Sequence, residues 1–404
     1  MTSGARTPAR TQSSWPRMLA LFSLAAFVEV TAYGQLTAFT PTYLSRLGVP
    51  DADLPRWIAL TTAVPSALGI CLLPFWGALA DRYGRKPLVV RSFAATGTAL
   101  AFASLATNAW TFFASRSISA FALGNSGLMM TTLAESAPPS RIGFAYGILN
   151  GAGPLGAVVG PLFGGPLVDR YGVPALLALE AFLLLMVVLT LALGYRDPWS
   201  RPAHVVPVLR SAFGGAALLW RSPRLRWLFP AVTCVFAGWM LTLAYTPLVV
   251  AHVHTGPGLA TAIGLVLGAG GAVTVVASPG IGALADRFGL FRTYFAMGAL
   301  TALSWTLPWT FRDFVPFLVA NALASGIGSG PFSLSFNLIA RSTTDATRAR
   351  VMTFSYLPLN LALVVGPALG GIAAALDPFA IYPTSIALQL VGLVFVALAL
   401  RRPL

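Results

Sequence analysis

The sequence predicts an all-α membrane protein with twelve transmembrane helices, arranged as two pseudo-symmetric six-helix bundles. Three observations predict it: a composition too apolar for water, a series of long hydrophobic runs, and an internal repeat. Of 404 residues, 56% are hydrophobic and only 9% are charged, and the mean hydropathy is +0.77. A soluble domain carries about 25% charged residues. With so few, a 42.3 kDa chain cannot coat a water-facing globule, so lipid is the solvent for most of its surface.

Runs of about 20 apolar residues cross a hydrocarbon core roughly 30 Å thick. Twelve are predicted: 18–44, 57–79, 88–106, 109–134, 143–167, 174–194, 227–251, 259–284, 293–311, 314–340, 351–375 and 379–400. Backbone groups must be satisfied internally in lipid, which leaves helices or closed barrels, and continuous runs lack the alternation of barrel strands. The first span follows Arg6, Arg10 and Arg17, but its length and its Glu29 argue against a cleavable signal. The second ends in a charged turn, "GALADRYGRK" at 77–86, and the fourth carries Arg116. Glu180, near the outer end of the sixth, reads as an interfacial group. The polar segment 195–226, with six arginines, reads as a cytoplasmic linker with an interfacial helix near 207–220. His252 and His254, at the end of the seventh span, read as loop residues in water rather than a metal site. Cys71 and Cys234 both lie inside apolar spans, where no disulfide is expected.

The net charge of +14 raises the possibility of a nucleic-acid partner, but its placement argues otherwise. With the N-terminus inside, twenty-one Lys and Arg fall on the inner side against four outside, Arg46, Arg56, Arg170 and Arg312. That asymmetry predicts cytoplasmic termini at both ends of the chain.

The turn at 77–84 returns as "GALADRFG" at 282–289, and "VVGPLFGG" at 158–165 returns as "VVGPALGG" at 364–371. Two unrelated motifs sharing one offset imply duplication of a six-helix unit. The expected division is a first bundle over 1–194, a linker over 195–226 and a second bundle over 227–404. Six is even, so the repeats are parallel about the membrane normal, and two such bundles enclose a midplane cavity suited to alternating access.

Twelve helices as six plus six, "GALADRYGRKP" after the second span and "GAVVGPLFGG" on the fifth resemble the major facilitator superfamily. The fifth-span pattern is similar to that of its drug:proton antiporter branch. The resemblance implies secondary transport without enzymatic activity. It also implies that Asp81 and Arg85 latch the halves while the cytoplasmic side is closed, with a weaker latch at Asp286 and Arg287. Leu290 and Phe291 stand where the first copy has Arg85 and Lys86.

The residues themselves give each motif a physical role. Gly77 permits tight packing at the helix end and Gly84 a positive φ. Arg82, Arg85 and Lys86 hold the turn in the anionic interface, and Asp81 can accept from a neighbouring helix N-terminus. Gly156, Gly160, Gly164 and Gly165 make a flat packing face, repeated at Gly366, Gly370 and Gly371. Pro161 and Pro367 permit kinks.

Glu29 and Arg116 are charges inside the membrane, too costly to face lipid. The offset carries them to Cys234 and Asn321, so the ionisable apparatus belongs to the first half. Glu29 is the expected proton carrier with Arg116 beside it, although Ser119 and Ala120 replace the glutamine and glycine that usually follow that arginine in the family. A static Glu29–Arg116 pair is the bland alternative. Candidate solute contacts are Tyr33, Asn125, Phe236, Trp239, Met240, Tyr245, Phe336, Asn337, Tyr356 and Asn360, an aromatic and Met lining suited to amphipathic compounds.

The expected function is therefore proton-coupled efflux of small amphipathic or lipophilic compounds. The alternatives are an exporter, symporter or facilitator of a polar metabolite such as a sugar, or of a lipid, and a transporter-like receptor. Expected partners are a small-molecule substrate, protons and the bilayer. No cofactor, metal or nucleic acid is expected, and the chain is expected to act as a monomer. Arginine so outnumbers lysine that a bacterial inner membrane is the expected setting.

Overall fold

The computed structural model describes residues 15–197, 222–343, 351 and 354–402. The interfacial helix expected near 207–220 lies outside them. The first seven helices are α1 (Trp15–Arg46), α2 (Leu54–Tyr83), α3 (Arg85–Ser104), α4 (Ala109–Ile118), α5 (Asn125–Ser136), α6 (Ile142–Tyr171) and α7 (Val173–Gly194). The next seven are α8 (Leu225–Val253), α9 (Leu259–Phe288), α10 (Leu290–Ser304), α11 (Thr306–Thr310), α12 (Phe314–Arg341), α13 (Leu357–Leu376) and α14 (Ile381–Leu400). Among the described residues, nine helices are long and apolar enough by composition to cross a membrane.

The fourth predicted span, 109–134, is two helices rather than one. A 3-10 turn over Ser119–Ala122 follows α4, Leu123 is extended, and Gly124 takes φ +104° before α5 begins. Serine hydroxyls compete with the helical ladder here, Ser119 Oγ donating to the Arg116 carbonyl at 2.6 Å. The ninth span likewise divides into α10 and α11, and the eleventh starts at Leu357 rather than 351.

One tetrapeptide ends three helices. Asp-Arg-Tyr-Gly closes α2 at 81–84 and α6 at 169–172, and Asp-Arg-Phe-Gly closes α9 at 286–289. In each, the arginine lies 5.3 Å from the ring that follows it. Each glycine takes φ between 81° and 92°, a conformation that side chains resist. Gly84 and Gly289 stand at the arginine-rich end of the molecule, Gly172 at the arginine-poor end.

Within the first bundle α1 packs on α6 and α7, and in the second α8 packs on α13 and α14. The glycines set these distances. A Cβ on Gly156 would stand 2.6 Å from the Phe27 carbonyl of α1, and one on Gly366 would stand 2.6 Å from the Ala237 carbonyl of α8. Bare glycine also lets side chains reach the backbone, so Gln35 donates to the Gly160 carbonyl at 3.0 Å.

The bundles meet along two seams, α6 against α9 and α2 against α13. At Gly165 a Cβ would be 2.6 Å from the Ala260 carbonyl, and at Gly371 it would be 2.8 Å from Ala59. Both seams are tight at the arginine-poor end. One apolar core there runs through both bundles, whereas the arginine-rich part of the second bundle has a separate core built on Leu228, Phe236, Leu338 and Val396. Gly143, Gly147 and Gly151 of α6 and Gly280 of α9 have no neighbour within 4 Å of a Cβ. The molecule is closed at the arginine-poor end and parted at the other.

Candidate functional site

Helix α1 is hemmed in by α2, α5, α6, α7, α8 and α9. A side chain on α1 that keeps solvent access in its middle therefore opens into the space between the bundles. Glu29 and Tyr33, one turn apart, do so, and Tyr33 is 36% exposed. The Asn125 amide donates to both Glu29 carboxylate oxygens, at 2.9 and 2.7 Å. Asn125 is held in that pose by its own chain, because its carbonyl oxygen accepts the Ser126 backbone amide at 2.8 Å. The break in the fourth span makes this possible, since it sets Asn125 at the start of α5.

Arg116 is buried, 6% exposed, and does not pair with Glu29. Its Nε donates to the Thr61 carbonyl of α2 at 3.2 Å. The static Glu29–Arg116 pair is thus absent from this conformation. Glu180 corrects a second expectation: it is 2% exposed, inside the first bundle, with Oε2 unpartnered among the described residues.

Across the space, α8 is as central as α1, packed by α1, α9, α12, α13 and α14. Trp239 and Met240 keep partial access there. Rings form a wall behind and beside them: Trp239–Phe332 at 4.9 Å, Phe236–Phe332 at 4.6 Å and Phe336–Tyr356 at 5.1 Å. Phe332 is absent from the sequence-based candidates, although it lies one turn before Phe336 on the same face. Phe236 is fully buried behind the wall, Asn337 and Tyr356 are exposed, and Asn360 is half-buried.

Tyr245 is placed differently from the other candidates. It is 0% exposed, and its hydroxyl lies 3.0 Å from the Pro55 carbonyl of α2 and 2.9 Å from the Pro367 carbonyl of α13. It belongs to the seam between bundles, not to the open space.

At the arginine-rich end, Arg85 forms a bidentate pair with Glu135 of α5, both bonds 2.7 Å. Asp197 accepts the backbone amides of Arg85 and Lys86 at 2.6 and 3.0 Å, capping α3. The Lys86 ammonium donates to the Ala192 carbonyl. The Arg85–Glu135 pair lies within the first bundle, and the carboxylate on the N-terminus of α3 is Asp197, from the segment after α7; the Asp81 side chain lies outside the described ones. In the second copy, Asp286 and Arg287 are exposed and have no hydrogen bond or ion pair among the described residues. Beside them a cavity of about 350 Å³ is lined by Phe288, Leu290, Phe291, Arg292 and Arg341.

The carboxylate that does bridge the bundles is at the opposite end. Asp169 accepts the backbone amides of Ala260 and Thr261, at 3.0 and 2.8 Å, and the Thr261 hydroxyl at 2.6 Å. It thereby caps α9 of the other bundle. The imidazoles of His252 and His254 are bonded to the Leu248 and Pro257 carbonyls, and both cysteines are free. No metal-ligating cluster occurs among the described residues.

A family model described as Major Facilitator Superfamily matches residues 21–262 and again 258–404. The chain belongs to the major facilitator superfamily. As a member it is a multi-pass membrane transporter and not an enzyme. The chain is 26% identical to "Multidrug resistance protein MdtG" of Yersinia enterocolitica, over 91% of this chain and 89% of that protein. It is also 26% identical to the protein of that name from Enterobacter lignolyticus, over 96% and 93%. Among solved structures, a bacterial homolog to the human lysosomal transporter Spinster, inward-facing and unoccupied, superposes with a TM-score of 0.78 at 14% identity, covering 96% of both chains. The nucleoside transporter NupG gives 0.70 at 16% identity, over 95% of this chain and 96% of that one. These likenesses place this facilitator-superfamily transporter among bacterial inner-membrane proteins with the shared twelve-helix fold.

Proposed function

We propose that the protein exports small amphipathic compounds, lipophilic cations among them, in exchange for protons, with Glu29 as the proton carrier. The observation that carries this is the half-buried Glu29 of α1, its carboxylate held by Asn125, with Trp239, Phe332 and Phe336 forming a ring cluster on α8 and α12 of the other bundle. An aromatic wall and a carboxylate together suit a cation with apolar bulk, by ring quadrupole and by charge. The multidrug-resistance names of the relatives support the same reading.

In this reading the arginine-rich end is cytoplasmic, both termini lie there, and the conformation is open to the cytoplasm. Asp169, Tyr245, Gly165 and Gly371 hold the periplasmic end shut. Arg85, Lys86 and their turn make the opposing latch when the cytoplasmic end closes. A proton arriving on Glu29 from the periplasm weakens its hold on a cationic solute, and its release inside resets the site. The chain acts as a monomer, with 195–226 linking the bundles.

Proteoliposomes with an imposed pH gradient and a fluorescent lipophilic cation test this. Transport driven by the gradient is expected in the wild type and lost in Glu29→Gln. Unchanged coupling in Glu29→Gln would reject Glu29 as the carrier.

A further inference from the structure

The charged turn of the first bundle is followed, on α3, by the half-buried Arg91. Arg91 stacks on Trp76 of α2, its guanidinium carbon 3.6 Å from the ring centroid. Its Nη2 donates to the Leu123 carbonyl at 3.1 Å. Its Nε and Nη1 are buried without partners among the described residues. Buried donors left unpaired are costly, so one stack and one hydrogen bond fix this side chain against that cost.

Leu123 is where the fourth span breaks. It is extended, the next residue is Gly124 at φ +104°, and its carbonyl accepts from Arg91. The break is pressed onto α2 as well. A Cβ on Gly69 would meet Leu123 Cδ1 at 2.6 Å and the Ala120 carbonyl at 3.1 Å, and one on Gly124 would meet Trp76 Cβ at 3.6 Å. Arg91 and Trp76 thus grip both ends of the Leu123–Gly124 step. The residue after that step is Asn125, whose amide holds Glu29.

We infer that Arg91 is a positioning residue for Glu29, acting through the Leu123 carbonyl and the left-handed Gly124 to aim the Asn125 amide at the carboxylate. It touches neither proton nor solute. Its place in transport rests on the reading of Glu29 given above, whereas the geometric link does not.

Infrared spectra of the reconstituted protein separate the two. The Glu29 carboxyl band is identified as the one lost in Glu29→Gln, and its frequency reports the hydrogen bonds the group receives. Arg91→Gln is expected to shift that band to the position it takes in Asn125→Ala, and adding Asn125→Ala to Arg91→Gln is expected to shift it no further. Trp76→Leu, which keeps the arginine, is expected to shift it in the same sense, and it serves should Arg91→Gln not fold. A band unmoved by Arg91→Gln and by Trp76→Leu, but moved by Asn125→Ala, overturns the inference. A double variant shifted by the sum of the single shifts overturns it too. Loss of proton coupling is read separately by Glu29→Gln transport, so failure there leaves the infrared result standing.

Discussion

The Asp169 carboxylate accepts the Thr261 amide at 2.8 Å and the Thr261 hydroxyl at 2.6 Å, so one bundle caps the first turn of a helix in the other. A helix N-terminus presents unpaired amides and a partial positive charge, and a carboxylate suits both. Asp169 is exposed, which discounts the charge–amide bonds to about 1 kcal/mol. Asp169→Asn is expected to raise about fivefold the population open at the arginine-poor end. Distance measurements between spin labels at the arginine-poor ends of α6 and α9 read this directly.

Tyr245→Phe separates a seam residue from a solute contact. Its hydroxyl stands between the Pro55 and Pro367 carbonyls and donates to one at a time. Losing the donor removes one buried hydrogen bond across the seam, at about 1 kcal/mol. The population open at the arginine-poor end should rise while solute affinity within the form open at the arginine-rich end stays unchanged. Titration of a fluorescent solute alongside the distance measurement checks both halves.

Glycines on α6 should respond oppositely by position. Gly165→Ala drives a methyl into the Ala260 carbonyl at 2.6 Å and is expected to pry the seam at the arginine-poor end apart, at about 1–3 kcal/mol. A Cβ at Gly147 meets nothing within 4 Å in this conformation, so Gly147→Leu should leave thermal stability near wild type. It is expected to obstruct closure of the arginine-rich end and so to abolish turnover. Cysteine accessibility from each side of the membrane distinguishes the two variants.

The Arg85–Glu135 pair should matter little for stability. Its side chains are 16% and 47% exposed, and pairs of that kind contribute about 0.5 kcal/mol. Glu135→Gln is expected to shift the melting temperature in detergent by no more than a few degrees.

The spans were legible because a bilayer imposes length and apolarity on every crossing segment. The glycine faces were legible because small residues four apart have few other uses in lipid. The break at Ser119–Gly124 was not: its residues read as a continuation of an apolar run, and contacts from Gly69, Trp76 and Arg91 on other helices decide it. The partner of Glu29 was hidden for the same reason. Asn125 reaches it only because the break sets it at a helix start, while Arg116, the obvious counter-charge, is drawn to the Thr61 carbonyl. Asp169 lies in a third copy of the Asp-Arg-aromatic-Gly tetrapeptide that falls outside the repeat offset, so the duplication does not point to it.

The divided apolar core has a mechanical consequence. The lower part of the second bundle is cemented to itself around Leu228, Phe236, Leu338 and Val396, and its base is clasped where Arg224 donates to the Arg402 carbonyl at 3.2 Å. It can swing as one stiff lever about the common core at the far end, with no internal rearrangement. The excursion must then grow with distance from that pivot, and the Arg224–Arg402 clasp, at the tip, travels farthest in every cycle.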